Sequence, residues 1–446
     1  MGKGLSELPF VDVSQFDQAF WTGQVSSEMA RAALEHGPIF RWTASSGPEA
    51  GETRVTMVGP EANRFVMHTH RDHFSHDLGW TPLVGEVFGK GLLNMDDPEH
   101  ARHRRMWNPA FASGYMDAYL PVMQRVIQER TRQWPGREQV DLYTEAREIT
   151  FDIAAAALAG FQTGEQVDRL RQLFYAILHG FDEEAETFDE FQMKMLAVRD
   201  EMIPTLLRMI HERRNAPIED RPRDVLSMIV HARDENGEAL SDQQVLAHLN
   251  ILLVAGHETT TTLSSWALYL LATLPEHRDR IVTELDEVLG EGETTLSVDA
   301  VRAMKTLDNF VRETGRVYPP VINVPRGVLE EYEFGGYTIP AGAQVRLSLG
   351  GCHRLPHVFE NPDIFDPDRF APPREEDKRT PYSLVTFGGG PRVCIGQHFA
   401  HVETKALLAH VLRNYRLEPL DGQRPAHAGF INAFIPGGIR VHVTPL

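Results

Sequence analysis

The chain has 446 residues, of which 42% are hydrophobic and 24% charged, so it can bury a large core and disorder is not expected. Its formal charge of −19, from 44 basic and 63 acidic side chains, argues against nucleic acid as the main partner and against docking to an anionic membrane. Cysteine occurs only at Cys352 and Cys394, which excludes a disulfide framework and favours a reducing interior compartment.

The first residues contain no apolar signal core, and no later segment reads as a transmembrane run. Gly2 and Ser6 match the loose myristoylation pattern, but that pattern is short and common by chance. We therefore expect a cytoplasmic protein that does not associate with membranes.

Helical periodicity dominates the chain. Apolar residues at three- and four-residue spacing predict helices over about 116–131, 140–159 and 165–180. Ser241 and Gln244 read as a capping box, which opens a helix from Asp242 to about Leu274, stopped by Pro275. At ~1.5 Å per residue this helix would be about 48 Å long, so it is expected to cross the domain as a central pillar.

Strand-like segments are short, and Pro/Gly turns separate most of them. No linker, repeat or low-complexity tract divides the chain. The pattern predicts one mainly α domain over 1–446 with small β-sheets (an α+β fold) and an ordered coil from 355 to 373. The predicted strands cover 51–57, 324–329, 333–337, 344–349 and 439–443.

Cys394 follows three glycines and a proline, in the segment from Phe387 to Gly396. A helix predicted from Gln397 to Leu412 would place this cysteine near a helix N-terminus, where the dipole favours a thiolate. A thiolate fixed in such a loop, with Arg392 two residues before it, suits the axial position of a large flat cofactor, above all haem. The alternative is a buried structural cysteine after a surface turn, which is the usual reading of an isolated cysteine.

The long helix carries Glu258 and Thr259 at its middle, within an otherwise apolar stretch. Polar groups are costly at such a position, and an acid beside a hydroxyl is what a proton relay needs. Gly256 has no side chain, so another group can approach the backbone of the helix closely at this position. The alternative is a kinked core helix whose threonines bond back to carbonyls.

Further charged residues are spaced so that they could form ion-pair networks. Glu313 and Arg316 share one face of a helix, and Arg369 could complete a buried network with them. His100 and Arg104 also share a face, and cationic groups of this kind would bind the carboxylates of a cofactor.

Together these segments resemble the cytochrome P450 family, the haem-thiolate monooxygenases, in its soluble bacterial form. The resemblance runs from about Leu92 to the C-terminus. The Cys394 loop matches the family's F-x-x-G-x-R-x-C-x-G in full, and the long helix matches A-G-x-E-T-T. Glu313 and Arg316 match the E-x-x-R pair, Arg369 the third member of that network, and Ala400 and Glu403 the A-x-x-E that follows the cysteine.

The resemblance implies one P450-like domain with the long helix over haem b (iron protoporphyrin IX), and O2 as co-substrate. Cys394 would be the axial ligand of the iron, and Thr259 with Glu258 would deliver protons during oxygen reduction. Glu313, Arg316 and Arg369 would be structural. The implied contacts to the haem are His100, Arg104, Arg326 and Arg392 at the propionates, with Phe387, Gly388, Gly396 and Ala255 against the ring.

By the same resemblance, a largely apolar pocket would take a lipophilic small molecule such as a fatty acid, terpenoid, steroid or polyketide. Electrons would come from a ferredoxin or flavodoxin with its reductase, since no reductase domain is present. The basic run Arg102–Arg105 is a candidate contact for that partner, and a monomer is expected. The implied pocket residues are Trp80, Leu83, Phe88, Leu253, Val321, Ile322, Asn323, Asn432 and Phe434.

Other functions remain open at this point. A peroxygenase or a rearranging haem-thiolate enzyme would need no electron partner, but such relatives usually lack the acid–alcohol pair formed here by Glu258 and Thr259. A haem-binding sensor or carrier would need no proton relay. A helical scaffold without haem would purify as a colourless protein.

Overall fold

Helices predominate in the computed structural model, which describes residues 3–12, 19–43, 51–161, 164–183, 188–290 and 295–446. Gly2, of the myristoylation pattern, lies outside these residues. The helices are α1 (Val25–His36), α2 (Pro60–Arg64), α3 (Asp77–Phe88), α4 (Glu99–Trp107), α5 (Met116–Thr131), α6 (Leu142–Ala159), α7 (Glu165–Glu183), α8 (Phe188–Asn215), α9 (Val225–His231), α10 (Asp242–Thr273), α11 (Pro275–Leu289), α12 (Val298–Ala303), α13 (Lys305–Val317), α14 (Leu349–Cys352), α15 (Glu376–Arg379) and α16 (Gln397–Asn414).

The strands form three small sheets within the described residues. The largest has the order β1-β2-β8-β5-β3, the second β4-β10-β9, and β6 with β7 makes a hairpin. All pairings are antiparallel except that of β2 with β8. The strands are β1 (Ile39–Thr43), β2 (Thr53–Val58), β3 (Phe74–Ser75), β4 (Val140–Asp141), β5 (Asn323–Val328), β6 (Tyr332–Phe334), β7 (Tyr337–Ile339), β8 (Gln344–Ser348), β9 (Tyr415–Pro419) and β10 (Arg440–Pro445).

The chain divides into two compact units. The first contains Met1–Ser75, Ile127–Ala146 and Thr259–Leu446, and the second contains His76–Val126 and Arg147–Glu258. All of the strands named above belong to the first unit. The expectation of a single domain over the whole chain stays a prediction.

In the first unit, the side chains of the large sheet alternate between two apolar clusters, as the period of a strand requires. Ile39 and Met57 pack into one cluster with Leu347, while Phe40 joins the other with Met29. Because both faces are covered, the strands are almost fully buried, which fixes their register.

The second unit is helical over its described residues. Helix α8 packs on α7, and α9 packs on α8. Phe151 and Phe174 lie 5.7 Å apart between their ring centroids and are buried. Phe151 also meets His257 of α10 edge-on, with 5.2 Å between ring centroids, so this packing helps to position the first half of α10.

The long helix α10 begins at the predicted residue. The Ser241 backbone N–H donates to Gln244 Oε1 (2.9 Å), and the Gln244 N–H donates to Ser241 Oγ (3.2 Å), so the predicted capping box is present. The helix ends at Thr273, and Pro275 starts the next helix in the position that tolerates proline.

Two predicted elements were wrong in detail. Residues 140–141 begin no helix, because Val140 pairs with Val441 as a short strand before α6. The strand predicted over 333–337 is a hairpin, in which Gly335 (φ 58°) and Gly336 (φ 85°) form the two-residue turn between Phe334 and Tyr337. Both glycines adopt the positive φ that this tight turn demands. Among the described helices, none combines the length and apolar character that crossing a bilayer requires.

Candidate functional site

The loop around Cys394 is closed by its own backbone. The Cys394 N–H donates to the Phe387 carbonyl (2.9 Å), and the Val393 N–H donates to the Gly390 carbonyl (3.1 Å). Helix α16 starts at Gln397, as predicted, three residues after the cysteine. These bonds fix the cysteine while its side chain remains exposed.

Glycine is required at two places in this loop. Gly390 has a φ of +64°, and a Cβ there would lie 2.2 Å from the carbonyl oxygen of Met67. A Cβ on Gly389 would lie 2.8 Å from the Tyr382 ring. The loop therefore lies directly on the backbone of the π-helical turn Phe65–Thr69, and larger residues would push it away.

The two cysteines differ in environment. Cys352 is fully buried, and its thiol donates to the Ser383 carbonyl (3.4 Å). Burial raises the pKa of the Cys352 thiol to about 12, so it stays protonated and is a poor metal ligand. Cys394 is exposed in a fixed loop and is therefore the cysteine whose placement fits a thiolate ligand of haem iron.

Glu313, Arg316 and Arg369 form one buried network in the first unit, as the sequence suggested. Arg316 donates to both carboxylate oxygens of Glu313 at 2.8 Å, and Arg369 Nε donates to Oε1 at 3.0 Å. The Asp366 N–H adds a fourth bond at 2.8 Å. All three charged side chains are 0% exposed, so their charges depend on one another.

The network continues to a residue that sequence reasoning missed. Arg369 Nη1 donates to Glu376 Oε2 at 2.8 Å, and Arg374 binds the other oxygen at 2.7 Å. Burial opposes ionisation of Glu376, but the hydrogen bonds from Arg374 and Arg369 outweigh it and lower the pKa of that carboxyl. No local pattern marks Glu376, which sits in an ordinary run of charged residues.

The middle of α10 is polar where the sequence predicted it. In the second unit, Glu258 is buried, with Oε1 4.0 Å from Arg147 Nη2 and Oε2 3.4 Å from His257 Nε2. Ala255 is exposed although most of the helix is buried, so a small side chain faces accessible space there. In the first unit, Thr259 is half-buried. A polar acid, a hydroxyl and an accessible alanine on one core helix fit a helix that lies against a flat cofactor.

The four basic residues proposed for the propionates lie in different environments. In the second unit, His100 is buried with Nδ1 3.4 Å from Asp97, and Arg104 Nε donates to Asn108 at 2.8 Å. In the first unit, Arg326 is buried on β5 and donates to the Pro325 carbonyl at 2.6 Å. Arg392 is half-buried in the cysteine loop.

The basic run on α4 binds an acidic turn of the second unit. Arg102 contacts Asp234 (2.6 Å) and Glu238 (3.2 Å), and Arg105 contacts Glu235 (3.1 Å). Part of the charge considered for an electron-transfer partner is therefore already engaged within the protein.

The residues predicted to line a pocket are largely apolar and differ in burial. In the second unit, Trp80, Phe88 and Leu253 are buried, and Leu83 is half-buried. In the first unit, Ile322 and Asn323 are buried, Val321 and Phe434 are half-buried, and Asn432 is exposed.

Of the two predicted polar anchors, Asn323 is held by the fold. Its Nδ2 donates to the Phe430 carbonyl at 2.6 Å, which fixes the orientation of the amide, and its contact with a substrate stays a prediction. Asn432 forms a bridge with Val321 through the backbone, which leaves its exposed side chain as the better candidate for contact with a substrate.

Comparison with known proteins gives a consistent result. Residues 7–433 match the family model described as Cytochrome P450. The chain is 29% identical over 371 residues to a sterol 14alpha-demethylase of Mycolicibacterium vanbaalenii, covering 82% of this chain and 81% of the relative. It is 30% identical over 393 residues to human cytochrome P450 4X1, covering 81% and 76%. The solved structure of retinoic acid bound cyanobacterial CYP120A1 is similar over 100% of both chains, with a TM-score of 0.85 and 25% identity.

Proposed function

The chain belongs to the cytochrome P450 family, and on that premise we propose that it inserts one oxygen atom from O2 into a lipophilic small molecule, by hydroxylation or epoxidation. P450 enzymes are monooxygenases, so the chain is an oxidoreductase, and the predicted mainly α fold with small sheets is confirmed. The proposed overall reaction converts R–H, O2, two electrons and two protons into R–OH and water.

One observation carries the proposal, namely the exposed thiol of Cys394 in a backbone-locked loop. The other cysteine is held as a thiol by burial, so Cys394 is the residue that would bind the haem iron. When bound there, haem b supplies the activation of O2. The Cys394 thiolate would donate electron density to that group and so support its activation of O2.

The proton chemistry is assigned to Glu258 and Thr259. The Thr259 hydroxyl would hold and pass a proton at Oγ1, and the Glu258 carboxyl would replace it. Glu258 is buried, so its carboxyl would exchange protons with the site more readily than with bulk water.

The remaining site residues form two groups: one would bind the haem, and the other would support the protein around it. We propose that His100, Arg104, Arg326 and Arg392 bind the haem propionates, because paired cations match carboxylates. Phe387, Gly388, Gly396 and Ala255 would lie against the ring. Glu313, Arg316 and Arg369 would hold the segment beside the cysteine loop and would not contact substrate.

The apolar character of the predicted lining supports a lipophilic substrate. One relative is a sterol 14alpha-demethylase, and one similar solved structure has retinoic acid bound. Sterols and retinoic acid are both lipophilic. We propose a ferredoxin or flavodoxin with its reductase as electron source, and a cytoplasmic location for the reaction.

The experiment is a screen of sterols, retinoids, terpenoids and fatty acids for a spin-state shift in the haem absorption spectrum, followed by product analysis with a surrogate ferredoxin system. The proposal expects at least one class to shift the spectrum and to gain one oxygen atom from labelled O2. Oxygen incorporated only from peroxide, with no product from O2 and reductant, would contradict the monooxygenase assignment.

A further inference from the structure

His353, in the first unit, is hydrogen-bonded both to the buried network around Glu313 and to the segment that leads into the cysteine loop. Its side chain is 0% exposed, and the residue directly follows the short helix α14. Its backbone is held at both polar groups. The N–H donates to the Leu349 carbonyl at 3.2 Å, and the carbonyl accepts from Arg316 Nη1 at 2.8 Å. The imidazole therefore extends from a fixed support.

The imidazole of His353 makes one hydrogen bond among the residues that the structure describes. The Val385 N–H donates to Nε2 at 3.1 Å. A backbone N–H can only donate, so Nε2 offers its lone pair, and the hydrogen of the neutral ring lies on Nδ1. Burial, with the nearby charges of Arg316 and Arg354, lowers the pKa of His353 to about 3, which agrees with a neutral ring.

Packing alone does not explain a histidine at this position. Nδ1 carries a hydrogen, but it is buried and has no hydrogen-bond partner within the described part of the chain. Burial of an unpaired donor is unfavourable, and a leucine would fill a similar volume without it. What a leucine lacks is an acceptor. The imidazole is therefore explained by the lone pair that it offers to the Val385 N–H.

Val385 begins the turn that leads into the cysteine loop. Its carbonyl accepts the Gly388 N–H at 2.8 Å, which closes a four-residue turn with Thr386 and Phe387 at its centre. The Phe387 carbonyl then accepts the Cys394 N–H at 2.9 Å. The bond at His353 thus fixes the first residue of the turn that presents this carbonyl to the cysteine.

The residues just before the turn are held at their carbonyls. Asn63 Nδ2 donates to the Tyr382 carbonyl at 3.0 Å, and the Cys352 thiol donates to the Ser383 carbonyl. Both bonds act upstream of the turn. His353 is the side chain that binds the backbone of the turn itself.

We propose that His353 is a positioning residue for the cysteine ligand: by accepting the Val385 N–H it holds the turn whose Phe387 carbonyl binds the Cys394 N–H, and so keeps Cys394 in place to bind the haem iron. This inference rests on the proposed role of Cys394 as the haem ligand. His353 acts through the turn and is not itself a catalytic residue.

The test compares three variants by the carbon monoxide difference spectrum of the reduced, haem-loaded protein. His353→Leu removes the acceptor, whereas His353→Gln keeps one, because its side-chain oxygen extends about as far as Nε2. His427→Leu is the matched control. His427 is also buried in the first unit, and burial lowers its pKa to about 3 as well. Its Nε2 lies 3.1 Å from the Pro319 carbonyl oxygen, which is not part of the turn.

In His353→Leu, the share of bound haem that lacks the red-shifted thiolate band should rise about tenfold over wild type, as the loss of one buried hydrogen bond would shift an equilibrium. His353→Gln and His427→Leu should stay close to wild type. Hydrogen–deuterium exchange of the peptide 382–396 should become faster in His353→Leu and not in the control. A histidine that only stabilised the core would lower stability in both leucine variants and leave the band of the bound haem unchanged.

Haem uptake decides the case if His353→Leu binds no haem. Haem retained in His353→Gln then supports the inference, and haem lost from both variants overturns it. An undiminished thiolate band in His353→Leu, an equal deficit in the two His353 variants, or an equal deficit in His427→Leu also overturns it. Failure of the proposed function is distinct, because it would appear as a thiolate band that survives in Cys394→Ser.

Discussion

Replacing Glu313 by glutamine should destabilise the protein far more than its small change in shape suggests. The carboxylate accepts two hydrogen bonds from Arg316, one from Arg369 and one from the Asp366 N–H. The glutamine amide keeps one acceptor oxygen but turns its NH2 group toward a guanidinium. It also removes the negative charge that Arg316 and Arg369 share. Breaking a buried ion pair by removing one partner costs about 3–5 kcal/mol.

The assay is denaturant unfolding of the haem-loaded protein by circular dichroism, with haem content measured on the same preparation. Glu313→Gln should lose about 3–5 kcal/mol in the free energy of unfolding and should retain little haem. Arg280→Ala is the control, since Arg280 and Asp368 are 50% and 48% exposed and such pairs contribute about 0–1 kcal/mol. A Glu313→Gln protein as stable as the control, with full haem content, would refute the reasoning.

Three further predictions follow from the site. Thr259→Ala should consume oxygen without matching product, measured as product per O2, whereas Thr259→Ser should stay coupled because it keeps the hydroxyl. Gly390→Ala should lose haem, measured as haem bound per protein, because its Cβ would meet the Met67 carbonyl at 2.2 Å; full haem content in this variant would contradict the packing argument. Burial lowers the pKa of His248 to about 3, so acid favours the unfolded state, which binds the proton more readily. Stability in denaturant titrations should therefore fall as pH decreases from about 6.5 towards 3, by up to about 1.4 kcal/mol per pH unit for this histidine; a flat profile would contradict it.

Local signals predicted much of the fold. The boundaries of α10 follow from the Ser241 cap and Pro275, because caps and prolines act within one turn of helix. The hairpin at Gly335 was missed although its turn residues were visible, since the run was interpreted as one strand. The parallel pairing of β2 with β8 joins residues far apart in sequence, and no local pattern encodes such a contact.

The difference between local signals and long-range contacts also decides which site residues could be predicted. Cys394 could be proposed as the haem ligand from sequence because three glycines and a proline precede it in one short loop. Glu376 and Arg147 were not identified, because their roles depend on side chains brought near by packing. The bond from the Asn323 amide to the Phe430 carbonyl was not foreseen either, because only the folded chain defines that contact; the proposed contact of Asn323 with a substrate stays a prediction.

The most direct test of the central claim is the carbon monoxide difference spectrum of the reduced protein, recorded for wild type, Cys394→Ser and Cys352→Ser. The account predicts the red-shifted band of a thiolate-ligated haem in wild type and in Cys352→Ser, and its loss in Cys394→Ser. A band that survives in Cys394→Ser, or that is missing from haem-loaded wild type, would contradict the assignment of Cys394 as the ligand.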